Sequence, residues 1–463
     1  MAKDKYSISS DTRFIGHPVG LGWLSGAEFW ERFAYYGMQA LLVLYLSHYL
    51  FKPGTIEHVW GITPFQHGLE TIYGKLDFAA FASAVVGFYT ATVYLTPILG
   101  GYIADRLIGR TATVALGASS MAAGYFLLCF EQSFLIGIFA LLFGVGCFKG
   151  NIAAQVGDLY TIDDPRRADG FQIYFLGIQL AVIIAPLITG TLGEDVGWKW
   201  GFGSAGVGIL IGLGVYLAGR YAYPPEVLVK KNDVTAVARP PLRRRDWGVI
   251  AILVLLLPVL AMSIVGNNQI FNAYLIWAEK NYQLGIFGGK MPTSWMFSID
   301  AVVSTVLMIG VIAFWRWYGR HWKEPSEITK ITIGTAISAT APLVLALYSQ
   351  IVAQTGHPVP LWWSVAFHII NDTGFSMVLP VGLALYSRVA PKGLGGIMIA
   401  VYYIHLFIGN NLVGYLGGFL DKMSGAQFWI MHAIIMGVSA GLLLLARIFF
   451  ARYLEPTKEK AAA

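Results

Sequence analysis

Charge is what this sequence is short of. Only 13% of its 463 residues are Asp, Glu, Lys or Arg, about half the share usual in a soluble domain. Apolar residues make up 56% and mean hydropathy is +0.61, more apolar surface than a water-soluble interior hides, so lipid must solvate much of the chain. Cysteine is nearly absent, with Cys129 and Cys147 inside apolar stretches. That scarcity excludes a disulfide framework and a Cys/His metal centre. The segment from Met1 to His17 is polar and lacks a short apolar region ending in a small-residue cleavage site. No cleaved signal peptide is expected, and the first apolar stretch reads as a membrane anchor. The net charge of +6 does not point to nucleic acid; it informs only by its position along the chain.

What is present is a succession of apolar stretches of about twenty residues or more, each long enough to cross a bilayer as a helix. They cover 22–50, 78–104, 111–130, 134–157, 169–192 and 198–221, then 247–278, 291–318, 328–353, 359–389, 394–420 and 425–452. The long polar interval from Pro224 to Asp246 carries Lys230, Lys231, Arg243, Arg244 and Arg245 and divides the helices six and six. The expected organisation is a six-helix bundle over 1–223, a basic cytoplasmic linker over 224–246 and a second six-helix bundle over 247–463. With both termini in the cytoplasm, the outer loops hold only Lys52, Lys75, Lys199, Lys280, Lys290 and Lys422. Nearly all other Lys and Arg then fall inside, as the positive-inside rule requires. A miscounted helix would scramble that asymmetry.

The turn after the second span reads Gly101-Tyr-Ile-Ala-Asp105-Arg106-Leu-Ile-Gly109-Arg110. Its glycines permit a tight turn, and Asp105 and the arginines can pair across helix ends. Trp315-Arg316-Trp317-Tyr318-Gly319-Arg320, after the eighth span, is a worn copy. The first turn resembles the helix 2–3 signature of the major facilitator superfamily. That resemblance implies an all-α membrane protein of the major facilitator fold, twelve helices in two pseudo-symmetric six-helix bundles that rock around a central site.

The first span carries Glu28-Phe-Trp-Glu31-Arg32-Phe33-Ala-Tyr35-Tyr36. At 100° per residue Glu28, Glu31, Arg32 and Tyr35 share about 100° of arc, one helix face. Ionised groups facing lipid cost several kcal/mol, so this face looks into the bundle or a wet cavity. The fourth span carries Lys149 between Gly146 and Gly150, where a backbone or ligand can approach closely. A membrane lysine needs a carboxylate, and Glu28 or Glu31 is the natural donor. If one carboxylate takes a proton, a cation is freed to capture an anionic substrate.

At these residues the chain resembles the proton-dependent oligopeptide transporter family. The helix 1 pattern Glu-x-x-Glu-Arg-Phe-x-Tyr-Tyr is complete from Glu28 to Tyr36. Phe148, Lys149, Asn151, Gly157, Leu159 and Tyr160 match the helix 4 pattern, with further matches at Tyr94-Leu-Thr-Pro97 and Ala390-Pro391-Lys392. The resemblance implies proton coupling by Glu28, Glu31 and Arg32, capture of the peptide carboxylate by Lys149, and a pocket lined by Tyr35, Tyr36 and Tyr94. Some bacterial members carry two extra helices between the halves, for which the interval here leaves no room.

The pattern also breaks. Gln39 stands where relatives carry an Arg, Gln179 in place of a helix 5 Asn, Asn268 in place of a helix 7 acid, Phe375 in place of a helix 10 Glu, and Tyr402 in place of a helix 11 Trp. Gly87 stands near where animal relatives carry a helix 2 His. Two unusual acids, Asp300 and Asp372, are candidates to receive the peptide's amino group or a proton instead. Gln179, Asn268, Asp300, Asp372 and Tyr402 therefore join the expected substrate-binding set, and His368 and His405 are further membrane histidines. Gly201-Phe-Gly203-Ser-Ala-Gly206 and Gly437-Val-Ser439-Ala-Gly441 mimic dinucleotide and nucleophile-elbow motifs, but without a preceding strand they read as helix-packing glycines.

The function these residues imply is import of di- and tripeptides with protons by alternating access. The chain is expected to be a monomer in a bacterial inner membrane, without cofactor, metal or enzymatic activity. Alternatives are a carrier of another anionic or modified-peptide substrate, a membrane hydrolase around Ser439, or a peptide receptor that moves nothing.

Overall fold

The structure, a computed structural model, describes residues 10–161, 164–225, 242–286, 288–391 and 394–454. Lys3, Lys5, Lys230, Lys231 and Lys392 lie outside the described residues. The membrane helices are α1 Val19–Tyr45, α2 Phe78–Thr92, α3 Arg110–Leu127, α4 Phe134–Asp158, α5 Arg166–Ala185 and α6 Trp198–Ala218. They continue with α7 Arg244–Ser263, α8 Met296–His321, α9 Glu327–Thr355, α10 Trp363–Val389, α11 Gly395–Gly417 and α12 Gly425–Leu454. Among the described residues ten helices are long and apolar enough to cross a membrane. The other two of the expected twelve are α1, whose apolar run is interrupted by Glu28, Glu31 and Arg32, and α3, 18 residues rich in Ala, Gly and Ser.

Two spans are broken, each for a visible reason. After α2 the helix stops, turns through Val93 to Leu95 and resumes as Thr96–Ile103. Pro97 lies in the first turn of the resumed piece, where its missing N–H costs nothing. The seventh span ends α7 at Ser263 and resumes as Val265–Asn268, a 3₁₀ turn Gln269–Phe271 and Ala273–Asn281. Asn267, Asn268, Gln269 and Asn272 are all buried around this break. Irregular backbone at membrane depth survives only where protein or a wet cavity satisfies it. Here the Asn272 side chain donates to the Ser83 carbonyl at 3.1 Å, and Gln269 Oε1 accepts from the Ala273 backbone amide at 3.2 Å.

The interval after α1 also holds a short helix, Ile62–Tyr73, that the apolar spans do not announce. Its buried residues Ile62, Leu69 and Tyr73 lie on one face. Two minute ladders interrupt the otherwise helical structure, Tyr282–Gln283 parallel to Val359–Pro360 and Gly285–Ile286 antiparallel to Gly289–Lys290.

The described residues form two compact units. One takes those within Met1–Gly74, Leu95–Thr235 and Pro292–Ser298; the other takes those within Lys75–Tyr94, Ala236–Met291 and Ile299–Ala463. In the first unit α1 packs on α5 and α6, and α3 on α4. Gly146 allows α4 to approach Thr96 so closely that a Cβ there would lie 2.6 Å from the Thr96 carbonyl oxygen. Gly109, at φ +82°, makes the turn into α3, and Arg110 pairs there with Asp158 at the end of α4 and, at 3.8 Å, with Asp105. In the second unit α9 packs on α10 and α12, and α2 on α11. A Cβ on Gly87 of α2 would lie 2.5 Å from the Gly414 Cα, so no side chain fits there.

Candidate functional site

The first unit assembles its ionisable cluster on α1. Glu28, Glu31 and Arg32 are 2%, 0% and 3% exposed, a face of charge turned wholly inward. Arg32 Nε reaches Glu31 Oε2 at 2.5 Å and, one helical turn back, Glu28 Oε1 at 3.1 Å. The Arg32 guanidinium also lies 5.1 Å from the centre of the Tyr35 ring, and Tyr35 and Tyr36 pack edge to face at 5.1 Å. Lys149, half-buried on α4, interacts electrostatically with Glu31, Glu28 and Arg32. Two carboxylates thus face two cations in a site of low dielectric, and Glu31 Oε1 is buried with no hydrogen-bond partner among the described residues. The sequence pattern finds these four residues but not their aromatic surround. Tyr174 of α5 interacts with Glu28 and Tyr125 of α3 with Glu31, and both are buried. Nothing in their local sequence distinguishes them from ordinary membrane tyrosines. Gln179 is half-buried on α5.

The second unit holds a different cluster. His368 and Asp372 lie four residues apart on one face of α10, opposite Asp300 near the start of α8. His368 Nδ1 is 2.8 Å from Asp300 Oδ1, and Nε2 is 3.1 Å from the Tyr274 hydroxyl. Asp372 Oδ1 accepts from Asn371 at 2.9 Å and, more weakly, from Asn267 at 3.4 Å. The ligand-type atoms of Asp300, His368 and Asp372 lie within 4.8 Å of one another. Both ring nitrogens of His368 are engaged, one with Asp300 and one with Tyr274. The sequence singles out both acids and the histidine separately; only the packing of α8 on α10 joins them and adds Tyr274.

The remaining candidates of this unit sit in its interior. Asn268 donates to Asn410 Oδ1 at 3.2 Å. Tyr402 is fully buried and spends its hydroxyl on the Leu379 carbonyl at 2.8 Å. Tyr94, at the break after α2, packs partly buried against the cluster that contains Tyr402, Leu406 and Tyr386. His405 Nδ1 bonds the Tyr402 carbonyl one turn back on its own helix, while Nε2 is buried with no hydrogen-bond partner among the described residues.

The POT family profile matches residues 111–241 and 246–431. A Bacillus subtilis (strain 168) protein described as the uncharacterized transporter YclF is 28% identical over 93% of this chain and 94% of its own. A di-/tripeptide transporter of Lactococcus lactis subsp. cremoris is 28% identical over 94% of this chain and 96% of its own. The crystal structure of a peptide transporter, POT, in complex with sulfate superposes with a TM-score of 0.83 at 23% identity, covering 98% of this chain and 99% of that one. That similarity shows the fold, the two-bundle major facilitator architecture. The profile covers most of the chain and the charged face of α1 carries the family's pattern intact: this protein belongs to the POT family, the proton-dependent oligopeptide transporters.

Proposed function

We propose that the chain is a secondary active transporter that imports di- and tripeptides together with protons by alternating access. One observation carries this reading: the buried set of Glu28, Glu31, Arg32 and Lys149, in which two negative and two positive groups balance. Placing one proton on Glu28 or Glu31 leaves the set with one excess positive charge. In a low dielectric that excess strongly attracts an anion, and a peptide brings one in its terminal carboxylate. Lys149, on a different helix from the two acids, receives it, and Tyr35, Tyr36 and Gln179 provide contacts tolerant of side chain. Proton and peptide then enter together because each offsets the charge the other introduces. The description of the Lactococcus relative supports the substrate class. The chain works as a monomer in a bacterial cell membrane, with both termini cytoplasmic.

The test is uptake of labelled dialanine into proteoliposomes, with and without an inward proton gradient, by wild type and Lys149→Ala. Accumulation that needs the gradient, and that falls at least tenfold in the variant, is expected. Absence of accumulation by folded wild-type protein would refute the peptide reading. A second substrate class, another anion or a modified peptide, is favoured in that event because Asn268, a neutral amide bonded to Asn410, stands in place of an acid, and the missing acids weaken recognition of an amine. The hydrolase reading draws no support from Ser439, whose hydroxyl donates to the Val259 carbonyl at 2.7 Å and is buried.

A further inference from the structure

The Asp300–His368–Asp372 cluster of the second unit is not used by the mechanism above, and its charge needs an account. Asp372 is 0% exposed and Asp300 8%. Two carboxylates this close and this buried do not both ionise unless a cation or a proton is shared between them. The groups that face them are His368, Tyr274 and, beyond it, Tyr282, with the neutral amides of Asn267 and Asn371. Among the described residues the ion-pair partner of Asp300 is His368. Asp372 Oδ2 is buried with no hydrogen-bond partner among the described residues, a site where a proton would relieve an orphaned acceptor.

We propose that Asp300, His368, Asp372 and Tyr274 form a second proton-carrying site, separate from the α1 cluster, that contributes one proton to each transport cycle. The inference rests on the symport reading. Asp300, with 11% of its side chain accessible, is the entry point, and Asp372, wholly enclosed, is the store. With a neutral ring, His368 Nδ1–H donates to Asp300 and the Tyr274 hydroxyl donates to Nε2. When the ring takes up a proton both nitrogens donate, and the hydroxyl turns to become the acceptor. Only bonds to hydrogen change, and both ring nitrogens of His368 keep their partners in the two states.

Two measurements test the proposal. The first is a difference titration of purified wild type against the Asp300→Asn/Asp372→Asn variant. The variant should bind about one proton fewer over the whole titration. Tyr274→Phe, which removes a single hydroxyl, should move the pH at which that proton leaves without removing it, so the proposal stays testable if the double variant does not fold. Identical curves for wild type and both variants would overturn it, as would a stoichiometric divalent cation that copurifies and whose chelation alone produces the difference. The second is the proton-to-peptide ratio from reversal potentials in proteoliposomes, expected to be lower by one in the double variant. An unchanged ratio overturns the coupling role. If wild type accumulates no peptide while the titration difference stands, the symport reading falls and the proton site survives.

Discussion

Asp11 illustrates how a single side chain outside the membrane fixes the entry to the helix that carries the coupling cluster. Its carboxylate accepts from the Val19 amide, the first of α1, at 3.2 Å and clasps Arg13 through Nε at 2.8 Å and Nη2 at 2.9 Å. The hydrogen bonds from Arg13 hold the Asp11 carboxyl well below the usual carboxylate range, against a smaller opposing effect of burial. A depressed folded-state value means the stabilisation is complete above the unfolded value, about 4, and is lost as pH falls through the lowered one. Asp11→Asn should therefore cost on the order of 1 kcal/mol, the worth of a capping bond, because the exposed arginine adds little. Thermal unfolding in detergent should show a constant deficit above about pH 4 that shrinks at lower pH. At the same scale, Glu28, Glu31, Arg32 and Lys149 are legible from residue type alone, since charge at membrane depth has few uses. Tyr125 and Tyr174 are not, because a tyrosine announces nothing until its neighbour is known.

At the scale of helices, glycine decides where backbones touch. Gly87 and Gly414 bring α2 against α11, and the missing side chains are a requirement of the contact. Gly87→Ala should lower the melting temperature of the solubilised protein, by the 1–3 kcal/mol typical of overpacking. Gly437→Ala in α12, where a Cβ meets nothing within 4 Å, should leave it unchanged or slightly raised; equal effects would show that the contact is not tight. The broken spans belong to this scale too. Pro97 in the sequence marks the discontinuity after α2, whereas nothing local marks that of the seventh span. Its amides Asn267, Asn268, Gln269 and Asn272 read as polar residues in a helix, and the last three find partners only once Ser83, Asn410 and His432 are packed beside them.

At the scale of the whole chain, the distribution of Lys and Arg predicts an orientation that can be measured directly. With both ends cytoplasmic, single cysteines at Lys75 and Lys422 should react with an impermeant thiol reagent added outside intact cells, and cysteines at Arg13 and Arg452 only after permeabilisation. Any other pattern would revise the helix count, since each added or lost span inverts every loop after it.

Hydropathy and charge placement determined from the sequence alone that this is a twelve-span membrane protein, because burying so much apolar surface has one solvent available, and the α1 pattern named its family. The sequence also named Asp300 and Asp372 as paired candidate acids, and His368 apart from them, 68 positions from Asp300. Only the tertiary structure decided that the three form one cluster, because a contact between α8 and α10 is set by how whole helices pack, and no local spacing encodes it. The same holds for Gly87: the sequence shows a glycine, and only the backbone of Gly414 says why no side chain fits there.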